Sequence, residues 1–323
     1  MSRLVSVCVP TFNGSRWLRE AIVSALSQTY VDLEVLIVDD KSTDSTLDTA
    51  RSFSDSRIRI EVNSRNLGIV GNRNRCIELS KGPYIKFLFQ DDILYPSCIE
   101  KMVQTLEDNE NVGMAFAPRD ILIENPADPY QVGFRSHHAR SYENFGTLRD
   151  VNRGIELFTT WLSSNFSENW VGEPSSVMLR KRSIQDVGLF YAKMKSCSDM
   201  EMWIRMMYFY DVAFINEPLS TFRYHTCSAG ARIREKNLYW LDRLWLLEGL
   251  LEHEEIERDY QQIQRLRDIE AEAIRKSVLR RQDTRTPSFL YRIKSYAEYR
   301  HYCFRRLIHN APSLHGSVKK TDH

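Results

Sequence analysis

The strongest constraint on this chain is an alternation at its N-terminal end, where short apolar runs are separated by segments with helical spacing. Leu4–Val9, Leu33–Val38, Arg57–Val62 and Tyr84–Phe89 read as strands, and Ser15–Gln28, Thr43–Ser52 and Gly68–Ser80 as the helices between them. Strands at this spacing predict an α/β fold with a mostly parallel central sheet flanked by helices. Their nearly unbroken apolar character fits strands covered on both faces. Open sheets of this kind bind ligands beyond the carboxyl ends of their strands. Three polar clusters fall there: Pro10-Thr11-Phe12-Asn13, Asp39-Asp40 and Gln90-Asp91-Asp92.

Composition narrows the possibilities further. With 42% hydrophobic residues the chain can build a substantial core, and a formal net charge of +1 gives no basis for general nucleic-acid binding. The six cysteines include no CxxC pair and read as reduced thiols, neither a disulfide framework nor a zinc site. The first strand begins too early for a secretory leader, and no apolar run approaches the roughly 18 residues that span a bilayer. These features predict a cytoplasmic protein.

Beyond the first half the pattern changes. Pro118–Trp170 is irregular, regular structure resumes at Ser175–Arg180, and a helix is expected around Met200–Tyr210. From Arg232 to Gln282 the spacing is helical, and no internal repeat is present. Between Lys276 and Lys320 there are eleven Lys and Arg against two acids, interleaved with Tyr291, Tyr296, Tyr299, Tyr302 and Phe304. That segment reads either as a membrane-surface region or as a solvated basic face with its aromatics packed inward.

Each candidate residue has a bland reading beside a chemical one. Asp39-Asp40 leads into Ser42, Thr43 and Asp44, any of which can cap the next helix. Capping does not account for adjacent like charges at a strand end, whereas a base N–H or a ribose hydroxyl facing them would. Asp91-Asp92 suits a hard divalent cation bridging a diphosphate, or else a turn built on Asp side chains. Gly68, between a strand and a helix, is placed to adopt a positive φ. Asp199 opens a helix and either complements its dipole or faces a cleft, and its spacing from Glu201 puts the two carboxylates on different faces. His225 alone reads as a structural histidine. His137 and His138 have no supporting pattern.

Taken in order, Val7–Trp17, Leu33–Thr46, Asn63–Asn74, Gly82–Pro96, Glu173–Phe190 and Ser198–Arg205 resemble the inverting family 2 glycosyltransferases of the GT-A fold. The likeness covers about residues 4–228. It implies a GT-A domain over 1–230, with a donor-binding half to about 117 and an acceptor half from 118, followed by a helical basic region at 231–323. Pro10, Thr11, Asn13, Asp39, Asp40, Asn66, Gly68, Gln90 and Asp91 would line the nucleotide site, with Asp40 accepting the N3–H of uracil or thymine. Asp91, Asp92 and His225 would hold Mg²⁺ or Mn²⁺. Asp199 matches the general base. One departure stands out: the first acid of the family's DxD motif falls at Phe89. The resemblance implies transfer from a nucleotide-sugar to a saccharide or lipid-linked saccharide acceptor in polysaccharide or glycolipid assembly. The basic segment, on its membrane-surface reading, would place the protein at the inner face of an anionic membrane. A non-catalytic nucleotide-sugar sensor is the alternative that Phe89 suggests. A nucleotidyltransferase would need a Gly-rich loop near the first strand, which Pro10–Gly14 is not.

Overall fold

The structure, a computed structural model, describes residues 3–235, 241–253, 256, 259–279 and 294–303. Its first half alternates as expected: β1 (Val5–Thr11), α1 (Leu18–Leu26), β2 (Leu33–Asp39), α2 (Thr46–Arg51), β3 (Ile58–Val62), α3 (Gly68–Leu79) and β4 (Tyr84–Phe87). The chain continues through β5 (Ile93–Leu94), α4 (Cys98–Glu107), β6 (Val112–Phe116), β7 (Arg119–Ile123), α5 (Pro129–His138), β8 (Val151–Asn152) and α6 (Gly154–Ser163). The last described elements are β9 (Val177–Arg180), α7 (Lys181–Val187), α8 (Ser198–Phe209), β10 (Asp211–Phe214), β11 (Ser220–Tyr224), α9 (Ala229–Glu235), α10 (Asp242–Leu250) and α11 (Tyr260–Leu279), followed by a helical segment at 294–303.

Eight strands form one sheet in the order β3-β2-β1-β4-β9-β6-β10-β8, and β5-β11-β7 form a second. β1 runs parallel to both β2 and β4, and β2 parallel to β3, whereas β9 runs antiparallel to β4 and β6. The fold class is therefore the expected α/β arrangement, with β9 reversed inside the sheet and β8 reversed at its edge. The strand order changes direction beside β1, since β2 lies on one flank and β4 on the other. The carboxyl ends of β1 and β4 thus flank a topological switch point, the usual place for a ligand crevice.

Side chains alternate between two cores. Val5, Val7 and Val9 of β1 and Leu33, Val35 and Ile37 of β2 join α1 and α4 on one face, while Cys8, Leu36 and Val38 join α3, α6 and α8 on the other. This two-sided burial explains the near-continuous apolar runs. Leu244, Leu247 and Leu250 of α10 and Ile263 of α11 belong to the second core, so the C-terminal helices are packed onto the sheet domain.

Several boundaries differ from the sequence reading. β1 continues to Thr11, and β4 stops at Phe87 because the chain turns: the Asp92 amide bonds the Phe89 carbonyl at 3.1 Å. The stretch 118–170 holds two α-helices, a 3-10 helix at Ser141–Phe145 and two strands. Its helix α5 escaped notice because its polar, histidine-rich sequence carries little periodicity. Of the basic segment, residues 280–293 and 304–323 lie outside the described residues. Within it, Tyr299 is buried edge-on against Trp245, as the inward-packing reading expected.

α8 is fixed by an internal ion pair. Glu201 and Arg205 are both buried, and the guanidinium also donates to the carbonyls of Val187, Gly188 and Leu189 at the end of α7. Every arm of the guanidinium has an acceptor, the condition under which a buried pair is tolerated. Removing one partner of such a pair costs about 3–5 kcal/mol. The pair locks the face of α8 opposite to the one that carries Asp199.

Candidate active site

The end of β1 is joined to its neighbours by side chains. Asn13, with φ 49°, accepts the Thr43 amide at 2.8 Å through its side chain and donates its own amide to Ser42 Oγ at 2.9 Å. Thr11 Oγ1 lies 3.3 Å from Asp39 Oδ1. Gln90 pairs with the Phe12 backbone in both directions, accepting its N–H at 2.9 Å and donating to its carbonyl at 3.3 Å. A Cβ on Gly14 would sit 2.1 Å from the Gln90 amide oxygen, so a larger residue there would displace the Gln90 side chain from that clasp. The loops after β1 and β4 are therefore tied to each other.

Asp39 and Asp40 are buried and hold loops in place. Asp39 accepts the Ser42 amide and hydroxyl at 2.9 and 2.5 Å. The capping role expected in this turn goes to Asp44, which accepts the Thr46 amide at 3.0 Å. Asp40 accepts three bonds: Asn63 Nδ2 at 2.8 Å and the Leu67 amide at 2.7 Å on Oδ1, and the Gly68 amide at 2.8 Å on Oδ2. Asn66 closes the same loop by donating to the Asp40 carbonyl at 3.0 Å. Gly68 has φ 77°, as its position between strand and helix required. A carboxylate offers about four acceptor sites, so Oδ2 of Asp40 retains room for one further donor.

Asp91 and His225 are brought together from opposite ends of the domain, with His225 Nε2 2.9 Å from Asp91 Oδ2. The imidazole is buried against Trp17, with ring centroids 4.0 Å apart, and its Nδ1 has no partner among the described residues. Asp92 points elsewhere. It is 1% exposed, with one oxygen accepting Ser175 Oγ at 2.5 Å and the other the Arg223 amide at 3.0 Å. Burial, with Asp91 next to it, holds its carboxyl well above the usual range. Of the expected metal trio, Asp91 and His225 meet while Asp92 turns away, and among the described residues no group of three His, Cys, Asp or Glu side chains is placed to hold a metal. Asp92 acts as a strut between the β4 turn and β11. Lys86, fully buried, supports the strut by donating to the Ser175 and Val177 carbonyls.

Asp199 sits in the first turn of α8, with Oδ1 accepting the Met200 amide at 2.9 Å and Oδ2 a long 3.5 Å contact from Asn169 Nδ2. Burial raises its pKa to about 6, with Glu173 pushing the same way and the charge of Arg73 opposing. Part of its surface remains open. Its neighbour Arg73, on α3, is almost fully buried, donates to Ser198 Oγ at 3.0 Å, and lies 4.8 Å over the ring of Phe89. Its Nε has no acceptor among the described residues. Where the DxD pattern places an acid, this chain places a ring carrying a cation on its face.

α3 gathers these groups. Asn72 donates to the Val38 and Thr11 carbonyls and accepts from Asn63, which also holds Asp40. The next residue, Arg73, reaches Phe89 and the start of α8. Asp40, the β4 turn bearing Asp91, and Asp199 are thereby linked through two consecutive side chains. Arg73 and Glu173 lie in the matching stretches Asn63–Asn74 and Glu173–Phe190 with no sequence signal for these contacts, and Asn169 lies outside them.

Comparison with known proteins agrees with this geometry. Residues 6–162 match the family described as Glycosyl transferase family 2. Uncharacterized protein MT1568 of Mycobacterium tuberculosis is 31% identical over 248 residues, spanning 77% of this chain and 76% of that one. The chain belongs to glycosyl transferase family 2. As a member it is a glycosyltransferase. The UDP-Glc:alpha-D-GlcNAc-diphosphoundecaprenol beta-1,3-glucosyltransferase WfgD of Escherichia coli is 34% identical over 122 residues, 38% of this chain and 48% of the relative. The structure of S. aureus TarS 1-349 in complex with UDP-GlcNAc superposes with a TM-score of 0.65 at 14% identity, covering 91% of this chain and 80% of that one. That likeness fixes the fold as GT-A.

The contest between burial and Arg73 yields a direct test. In ¹³C-carboxylate NMR of the ligand-free protein, Asp199 is expected to titrate with a midpoint near 6. In Arg73→Gln, which removes the cation that favours the carboxylate, the midpoint moves to higher pH. An Asp199 midpoint in the ordinary carboxylate range near 4 would refute this account of its environment.

Proposed function

We propose that this transferase moves a sugar from a UDP- or dTDP-sugar to an acceptor hydroxyl in a single inverting displacement, with Asp199 as general base. The observation that carries the reading is the state of Asp199. A carboxylate raised to about 6, at the open start of a helix and beside a buried guanidinium, is poised to accept a proton near neutral pH. The acceptor oxygen attacks the anomeric carbon from the face opposite the leaving nucleotide as its proton passes to Asp199. Arg73 keeps the base ionised before transfer. The free acceptor site on Asp40 Oδ2 suits the N3–H of a pyrimidine, and Pro10, Thr11, Asn13, Asn66, Gly68 and Gln90 shape the loops around it.

Asp91 and His225 supply an oxygen and a nitrogen donor, and Asp91 Oδ2 and His225 Nε2, 2.9 Å apart, face each other closely enough to share one ion. We assign these two residues to Mg²⁺ or Mn²⁺, with the remaining ligands from the donor diphosphate and water. When bound, the ion offsets the charge that develops on the leaving diphosphate. Asp92 is left out of that set for the reasons of burial given above. WfgD, by its name, acts on a diphosphoundecaprenol-linked sugar, and this supports a lipid-linked saccharide acceptor in polysaccharide or glycolipid synthesis at the cytoplasmic face of a membrane. No helix among the described residues is long and apolar enough to cross a bilayer, so contact with such a surface falls to the basic segment after Lys276.

Two outcomes follow. With a UDP-sugar that raises the melting temperature, Asp199→Asn retains the wild-type shift but lowers turnover by about two to four powers of ten. Wild-type turnover in that variant would remove Asp199 from the mechanism. In vesicle sedimentation, replacing Arg305, Arg306, Lys319 and Lys320 by Gln reduces binding to phosphatidylglycerol vesicles while leaving the donor-induced melting shift unchanged. Equal binding by both proteins ends the membrane assignment.

A further inference from the structure

The segment that delivers Asp199 to the site is held by a residue from far along the chain. Asp242 is the first residue of α10 and is 2% exposed. Its carboxylate accepts the amides of three successive residues: Lys195 at 2.9 and 3.1 Å, Ser196, and Cys197 at 3.0 Å. These amides converge on one point, making the kind of backbone concavity that binds an anion. Here the anion is the chain's own carboxylate, set at the positive end of α10. Cys197 is the residue on which α8 begins, and it caps that helix with no side-chain bond of its own. Asp199 follows two residues later. The first turn of α8 is thus held from two sides, by Arg73 through Ser198 Oγ and by Asp242 through 195–197.

We propose that Asp242 is the positioning residue for Asp199, and that α10 belongs to the transferase site through this contact. The proposal rests on the reading of Asp199 as base. Asp242 does not act through its charge on Asp199. The charged groups facing Asp199 are Arg73 of α3 and Glu173, which precedes the 3-10 turn Pro174–Ser176. Asp242 acts by geometry: it fixes how far the start of α8 can move and whether water reaches the carboxylate. A shift of about 1 Å at a reacting group can cost about a hundredfold in rate.

Glu248 provides an internal control. It lies on the same helix, is equally buried, and accepts Arg267 and Tyr299, so it ties α10 to the C-terminal helices. The test compares Asp242→Ala, Asp242→Asn and Glu248→Gln in the full chain, and the Asn variant serves if Ala fails to fold. Turnover is read with whichever of UDP-glucose, UDP-galactose or UDP-N-acetylglucosamine transfers fastest, and exchange of the 195–197 amides is followed without ligand. In the Asp242 variants kcat is expected to fall about ten- to a hundredfold, with donor KM within about threefold. Their amides exchange faster, and the acid limb of kcat/KM moves below its wild-type position as water relieves the burial of Asp199. Glu248→Gln lowers the melting temperature and leaves the acid limb in place.

Unchanged kcat and acid limb in the Asp242 variants would overturn the proposal, as would an equal displacement of the limb by Glu248→Gln. An inactive Asp199→Asn beside an unaffected Asp242→Asn removes only the positioning role. A fully active Asp199→Asn removes the base assignment and the positioning role with it.

Discussion

The buried guanidinium of Arg73 organises the candidate site. Arg73 leaves water almost completely, which is costly for a cation that stays protonated inside proteins. Its surroundings answer that cost only in part, with one hydroxyl on Ser198, the faces of Phe89 and Phe190, and the charge of Asp199. Because Phe89 carries no charge, Arg73 has no acid to pair with at the end of β4, and its field falls on Asp199. The carboxylate in turn lies between two opposing effects, burial favouring the acid and Arg73 the anion. Neither wins outright, and a group that exchanges protons near neutrality is the result.

Around that pair, carboxylates of one chemical type do different work according to what reaches them. Asp39, Asp40, Asp92 and Asp242 are buried and accept backbone amides or hydroxyls, so each fixes a turn or loop in one conformation. Asp91 instead meets an imidazole, and Asp199 meets an arginine with part of its surface open. Adjacent acids at a strand end need not share a task. Asp91 and Asp92 differ because alternate residues of the tight turn after β4 face opposite ways, one toward His225 and one into the sheet's junction with β11.

The sheet was legible from the sequence because strands buried on both faces leave unbroken apolar runs, and the polar clusters at their ends mark the crevice. The place of Asp199 at a helix start was legible, while its role as base came from the family resemblance, and Gly68 was legible from its place between strand and helix. The inward turn of Asp92 was not, since it depends on Ser175 and Arg223, 83 and 131 residues away. Asp242 was equally hidden. Its partners are backbone amides 45 to 47 residues earlier, and amides carry no signature in a sequence. Arg73 lay within a segment recognised as familiar, yet its importance comes from Phe89, whose departure from an acid looked like a loss when considered alone.

The central claim is that one base, on one side of the anomeric carbon, drives one displacement. The anomeric configuration of the first-formed product tests it most directly, read from the coupling between H1 and H2 in proton NMR during transfer from an α-linked UDP-sugar. A β-linked product, formed without an α-linked precursor, agrees with attack opposite the nucleotide under Asp199. An α-linked first product would require a different mechanism and would contradict this account.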